Sequence, residues 1–128
     1  MGIRQFYLGY IPKEFLEKYK SNLSLNRRNN IKEQFINLDT LYKIIDTIHK
    51  SNGTVYLALN HITNNQTMLE YSKLVYELLH NKVDGIIVSN ITIATFLKNQ
   101  NYTNMIISNL FGNYSIQSVE FLITHFNP

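Results

Sequence analysis

Short runs of strand-forming residues alternate with longer helical stretches along the whole chain, and few folds accept that order. Strands separated by helices pair in parallel, so the pattern calls for a parallel sheet with helices packed against it. Ile3 to Tyr10 reads as the first strand, rich in aromatics. Pro12 suits the first position of a helix that carries Phe15, Leu16 and Tyr19 on one face. Ser21 to Gln34 is polar and aperiodic and reads as a long loop, of a length that in a compact domain often serves function. Asn37 is a good N-cap for the next helix, with Leu41, Ile44, Ile45 and Ile48 turned inward. Asn52-Gly53 closes that helix, Gly53 being expected to supply the left-handed conformation.

Thr54 to Leu59 is the second strand, and its Val-Tyr-Leu-Ala-Leu run suggests burial on both faces. Asn64 or Asn65 caps a third helix that carries Met68, Leu69, Leu74, Val75, Leu78 and Leu79. Asp84-Gly85 leads into the third strand, Ile86-Ile87-Val88. Ile91 to Leu97 is a short helix, Met105 to Ser108 the fourth strand, and Ile116 to Phe126 the last helix. The result is an α/β chain of four βα units. An open doubly wound sheet accepts four such units, and so does part of a (β/α)8 barrel. A complete barrel needs about 200 residues or more. The 128 residues therefore predict one domain over 1-128 that makes up a partial TIM-like barrel.

Composition narrows the function classes. Charged residues make up 16% of the chain, against about 25% in an average globular protein. The seventeen scattered Asn residues supply much of the missing polarity and fit an AT-rich coding sequence. Net charge is +3 and the pI about 9.1, but the basic residues form no single run. That favours a solvated surface over a nucleic-acid footprint. With no cysteine, disulfides, thiolate catalysis and Cys-ligated zinc or iron–sulfur clusters are excluded. No histidine pair has metal-ligand spacing, so neither a metal nor another cofactor is expected. No segment approaches 18 consecutive apolar residues and no signal peptide is visible, so the expectation is a cytoplasmic chain without a membrane partner.

In parallel α/β folds the working residues sit at the carboxyl ends of strands and in the loops that follow. Here those positions hold Gly9 and Tyr10, Asn60 and His61, Ser89 and Asn90, and Ser108 and Asn109. Hydroxyls and amides dominate, which suits hydrogen bonding to a polar ligand. His61 is the candidate acid or base among them. His49, His80 and His125 fall in helix C-terminal turns, where a structural role suits them better. Asn26, Arg27 and Arg28 form a cluster that could grip carboxylate or phosphate, the alternative being a loop kept soluble by charge. The binding candidates are thus Tyr10, Asn26, Arg27, Arg28, Asn60, Ser89, Asn90 and Ser108. There is no Gly-rich phosphate loop, and no G-x-S-x-G elbow for a serine nucleophile.

Taken in order, several runs resemble the N-terminal part of the U32 (collagenase-like) peptidase family. They are Phe6-Tyr7-Leu8-Gly9-Tyr10, Asn26-Arg27-Arg28, Phe35-Ile36-Asn37, Val55 to Asn60, Val83-Asp84-Gly85-Ile86-Ile87-Val88 and Ile106-Ile107-Ser108. The resemblance spans essentially the whole chain. It implies the first half of a TIM-like barrel and a family of hydrolases, with peptide as the ligand class. Some relatives act instead in RNA or quinone hydroxylation with an iron–sulfur cluster, whose cysteines lie in later segments. An RNA-modification relative and a non-catalytic binding or assembly module are therefore the alternatives. Asn90 stands where many members have Asp, and Asn109 where Thr is common. A half-barrel with open strand edges further predicts self-association or completion by a missing C-terminal barrel half.

Overall fold

The computed structural model describes residues 2–19, 35–60, 65–108 and 115–127. In chain order its elements are β1 (Gln5–Leu8), α1 (Lys13–Tyr19), α2 (Leu38–Lys50), β2 (Thr54–Leu59), α3 (Asn65–Leu79), β3 (Gly85–Val88), α4 (Ile91–Asn99), β4 (Met105–Ile107) and α5 (Ile116–Phe126). The four strands form one sheet in the order β1-β2-β3-β4, and every pair is parallel. A doubly wound sheet reverses its strand order at a switch point. This sheet does not reverse, and sequential order is what a (β/α) barrel uses. The fold is α/β and a partial TIM-like barrel.

The register adds a second barrel feature. Thr54 lies opposite Gln5, the first residue of β1, but Gly85 lies opposite Tyr56 and Met105 opposite Ile86. The later strands thus begin progressively further along, the stagger that tilts strands around a barrel axis.

Period-two alternation divides each strand between two faces. Leu8, Val55, Leu57, Leu59, Ile86, Val88 and Met105 are buried against the helices, where they join Leu41 and Ile45 of α2, Met68, Tyr71, Val75 and Leu79 of α3, and Ile93 and Leu97 of α4 in one core. The other face carries Tyr7, Tyr56, Ala58, Ile87 and Ile106, and both Tyr7 and Ile106 are exposed. In a barrel this second face lines the interior. The Tyr7 and Tyr56 rings stack there at 5.7 Å. Gly85 makes room beside them, because a Cβ on it would stand 2.9 Å from Tyr56 Cδ1 and 3.0 Å from the Asn104 carbonyl oxygen.

Local chemistry sets the helix ends. Asn37 accepts from the Thr40 N–H at 2.9 Å as the cap of α2. Ser115 and Ser118 make a capping box at the start of α5. At the end of α2 the expectation for Gly53 needs correction. Asn52 holds the left-handed conformation, with φ 57, and Gly53 is needed for close approach instead. A Cβ there would sit 2.7 Å from Ile48 Cγ2 and 3.3 Å from the Arg4 carbonyl. Two strands are also shorter than their sequence suggests. Ile3 is 82% exposed, and Tyr10 leaves the ladder to bridge Phe35, so β1 keeps only its middle, while β4 ends one residue before Ser108. Among the described residues no helix is long and apolar enough to cross a membrane.

Candidate functional site

Leu59, Val88 and Ile107 are register partners at the carboxyl ends of β2, β3 and β4. The next residue on each strand is Asn60, Ser89 and Ser108. Alternation turns all three toward the interior face, so they form one polar row across the barrel mouth. The ladder continues into this row, since the Ser108 N–H donates to the Val88 carbonyl at 2.7 Å. Three of the residues singled out from sequence are thereby brought together.

Ser89 occupies the middle of the row and is only 7% exposed. Its Oγ is buried without a hydrogen-bond partner. Nearly all buried hydroxyls find a partner, and one that does not costs about 1–3 kcal/mol. Among the described residues the other buried hydroxyl in this condition belongs to Tyr102, which precedes β4 and so lies at the opposite, N-terminal rim. Burial, then the neighbouring Tyr76 and Asp84, push the Tyr102 phenol up to about 12.

Asn90 does a different job. Its Oδ1 accepts from the Thr92 N–H at 2.7 Å, which makes it the N-cap of α4. Tyr10 does not face the mouth. Its side chain is buried in the core and borders a cleft with Pro12, Leu38 and Leu74. Burial, then Tyr42 and Glu14, raise its phenol pKa. What Tyr10 contributes is its carbonyl, which accepts a hydrogen bond from the fully buried Tyr71 hydroxyl of α3. Burial raises the Tyr71 pKa further still, so this hydroxyl acts only as a neutral donor.

His61, Asn26, Arg27, Arg28 and Asn109 lie outside the described residues. The segment that contains the arginines rejoins the sheet at Phe35. There the Phe35 N–H donates to the Gly9 carbonyl and the Ile11 N–H to the Phe35 carbonyl, both at 2.9 Å, beside the carboxyl end of β1.

The described histidines behave as helix-end groups. Nδ1 of His80 lies 2.7 Å from the Tyr76 carbonyl, and Nδ1 of His125 lies 2.8 Å from the Phe121 carbonyl. His49 also has a partner that sequence reasoning missed. Its Nε2 lies 2.8 Å from Oδ2 of Asp84, which accepts the Val55 N–H at 2.7 Å. Burial raises the Asp84 pKa, but the Val55 N–H and His49 outweigh it, and the net shift is downward. This cluster clips α2, β2 and β3 together at the N-terminal rim, away from the mouth. Only the position of Asp84, one residue ahead of a strand, could have hinted at it.

An open cleft of about 570 Å³ lies between α3 and α4 and is lined by residues that include Leu69, Lys73, Ile91 and Phe96. It belongs to the outer helical layer and holds none of the row. Among the described residues no three His, Asp or Glu side chains gather as a metal site would require. The mouth is therefore a strip of hydroxyl and amide groups that can donate and accept hydrogen bonds. Among the described residues no carboxylate stands in it. No curated protein and no solved structure matches the chain. One family model does, that described as Peptidase family U32, over residues 2–126.

Proposed function

The chain belongs to peptidase family U32, and on that premise we infer that its barrel mouth binds extended peptide. Asn60, Ser89 and Ser108 would present donors and acceptors to the backbone amides of such a ligand. The observation that carries this reading is the Ser89 hydroxyl, buried and without a partner in the middle of a polar row. A ligand amide that displaced the groups covering it would remove the cost of leaving it unsatisfied. An amide-rich ligand without net charge also suits a row that holds neither carboxylate nor cation.

Recognition and hydrolysis separate under this reading. The row supplies recognition. Activation of water needs a general base, for which His61, next to Asn60, is the candidate in sequence. The family's hydrolytic label thus reaches this chain as peptide binding first, with bond cleavage depending on His61 and on whatever completes the barrel.

Fluorescence anisotropy with a labelled, unstructured gelatin peptide tests the proposal, with a single-stranded RNA of similar length alongside. Saturable peptide binding is expected, weakened roughly five-fold in Ser89→Ala, the equivalent of losing one hydrogen bond of about 1 kcal/mol. Binding of RNA with a steep salt dependence and none of peptide would overturn it in favour of the RNA-modification reading.

A further inference from the structure

Among the described residues, the exposed large apolar side chains lie at the two sheet edges and on α5, with Ile91 of α4 as the exception. Ile3 (82% exposed) and Tyr7 (49%) belong to the β1 edge, and Ile106 (39%) to the β4 edge. Beside β4 stands α5, on which Ile116 (75%), Val119 (39%) and Ile123 (57%) recur at helical spacing as one apolar stripe. Of α5 only Leu122 is buried. In a (β/α) barrel the helix after a strand packs between that strand and the next one. The stripe on α5 is therefore the cover for a strand that would pair with β4. The β1 edge shows the matching deficit in the exposure of Ile3 and Tyr7.

We propose that a second copy of this chain fills both deficits. A two-fold axis along the barrel axis would set β4 of one copy beside β1 of its partner, and the reverse across the barrel. Four strands from each copy would then close an eight-stranded parallel barrel. The axis keeps all strands parallel, and the stagger already present within one copy continues across the seam. Each α5 would cover the partner's β1, and the interior faces with Tyr7, Tyr56 and Ile106 would meet in one lumen. The six exposed side chains alone carry on the order of 600 Å² per copy, close to the roughly 800 Å² per partner of a specific interface. The polar row occupies half of a mouth, so the second copy would also complete the site with its own Asn60, Ser89 and Ser108. The inference rests on the partial-barrel fold and not on peptide as ligand. A monomer that binds peptide would sink it and leave the preceding proposal standing.

Sedimentation velocity at micromolar concentration should give twice the 15.0 kDa chain mass. Ile106→Lys and Ile123→Lys should each yield monomer while keeping the helical far-ultraviolet spectrum. Because the chain has no cysteine, the double variant Gln5→Cys, Ile106→Cys reports on the seam. Within one copy those positions stand three strand spacings apart and are offset along the strands as well, more than about 14 Å and beyond the reach of a short bis-maleimide. Across the seam they are neighbours, so treatment should give a covalent dimer in high yield. A well-behaved monomer with a cooperative melt would overturn the proposal. So would a dimer that fails to crosslink.

Discussion

Two side chains show how position in the sheet decides what a residue does. Ser89 and Asn90 are adjacent at the end of β3, yet one faces the mouth without a partner and the other caps α4. Ser89→Ala should stabilise the ligand-free chain by on the order of 1 kcal/mol, read as a higher urea midpoint, while weakening peptide binding. Opposite signs for stability and affinity mark a group kept for a ligand, and a loss of both would make Ser89 merely structural. Asp84 is the converse case, a charged group committed to architecture. Its folded pKa lies below the unfolded value, so its contribution is present above the ordinary carboxylate pKa of about 4 and is lost as pH falls through the folded value. The Asp84 side chain is 36% exposed, which limits the contribution through solvent screening. Asp84→Asn should cost about 1 kcal/mol at pH 7, and urea melts of the two proteins should converge in acid. From sequence, the places of Asn60, Ser89 and Ser108 just after the carboxyl ends of strands were legible, because strand ends are visible as changes of composition. The cap role of Asn90, the inward turn of Tyr10 and the Asp84–His49 pair were not. Each depends on which way a side chain leaves the backbone or on a partner far along the chain.

Elements were more legible than residues wherever apolar spacing was regular. The inner stripe of α2 runs through Leu41, Ile45 and Ile48 as its spacing implies. In α3 the stripe is Met68, Tyr71, Val75 and Leu79, and Tyr71 was hidden because its hydroxyl makes it look amphipathic. That hydroxyl is satisfied by the Tyr10 carbonyl, so Tyr71→Phe should cost about 1–3 kcal/mol by leaving a buried acceptor unpaired. Thermal melts that leave the midpoint unchanged would show that the carbonyl finds another donor. Strand edges were less legible, because where a ladder ends depends on its neighbour. In β3, Gly85 serves as the seat of the Tyr56 ring. Gly85→Ala should destabilise by about 1–3 kcal/mol, since the backbone oxygen of Asn104 blocks the Cβ on a second side. A neutral result would mean that the ring simply swings away into the lumen.

At the scale of the whole molecule, the alternating pattern announced parallel strands but left open whether their order would reverse. Order is decided by which strand each helix returns to, and that depends on packing between segments distant in sequence. The observed order β1-β2-β3-β4 has a kinetic consequence. Ile86 and Met105 are joined by the shortest stretch of chain, Tyr56 and Gly85 by a longer one, and Gln5 and Thr54 by the longest. Closing a loop costs about 0.6 kcal/mol more for each doubling of its length. The sheet should therefore assemble from its carboxyl end, with β3 and β4 joining first, β2 adding next and β1 docking last. In pulse-labelled hydrogen exchange during refolding, amides of β3 should gain protection before those of β1. Phe35 is held by the Gly9 carbonyl and the Ile11 N–H, so it can take its seat only after β1 has docked, whereas Ser89 and Ser108 of the mouth are set side by side in the first step.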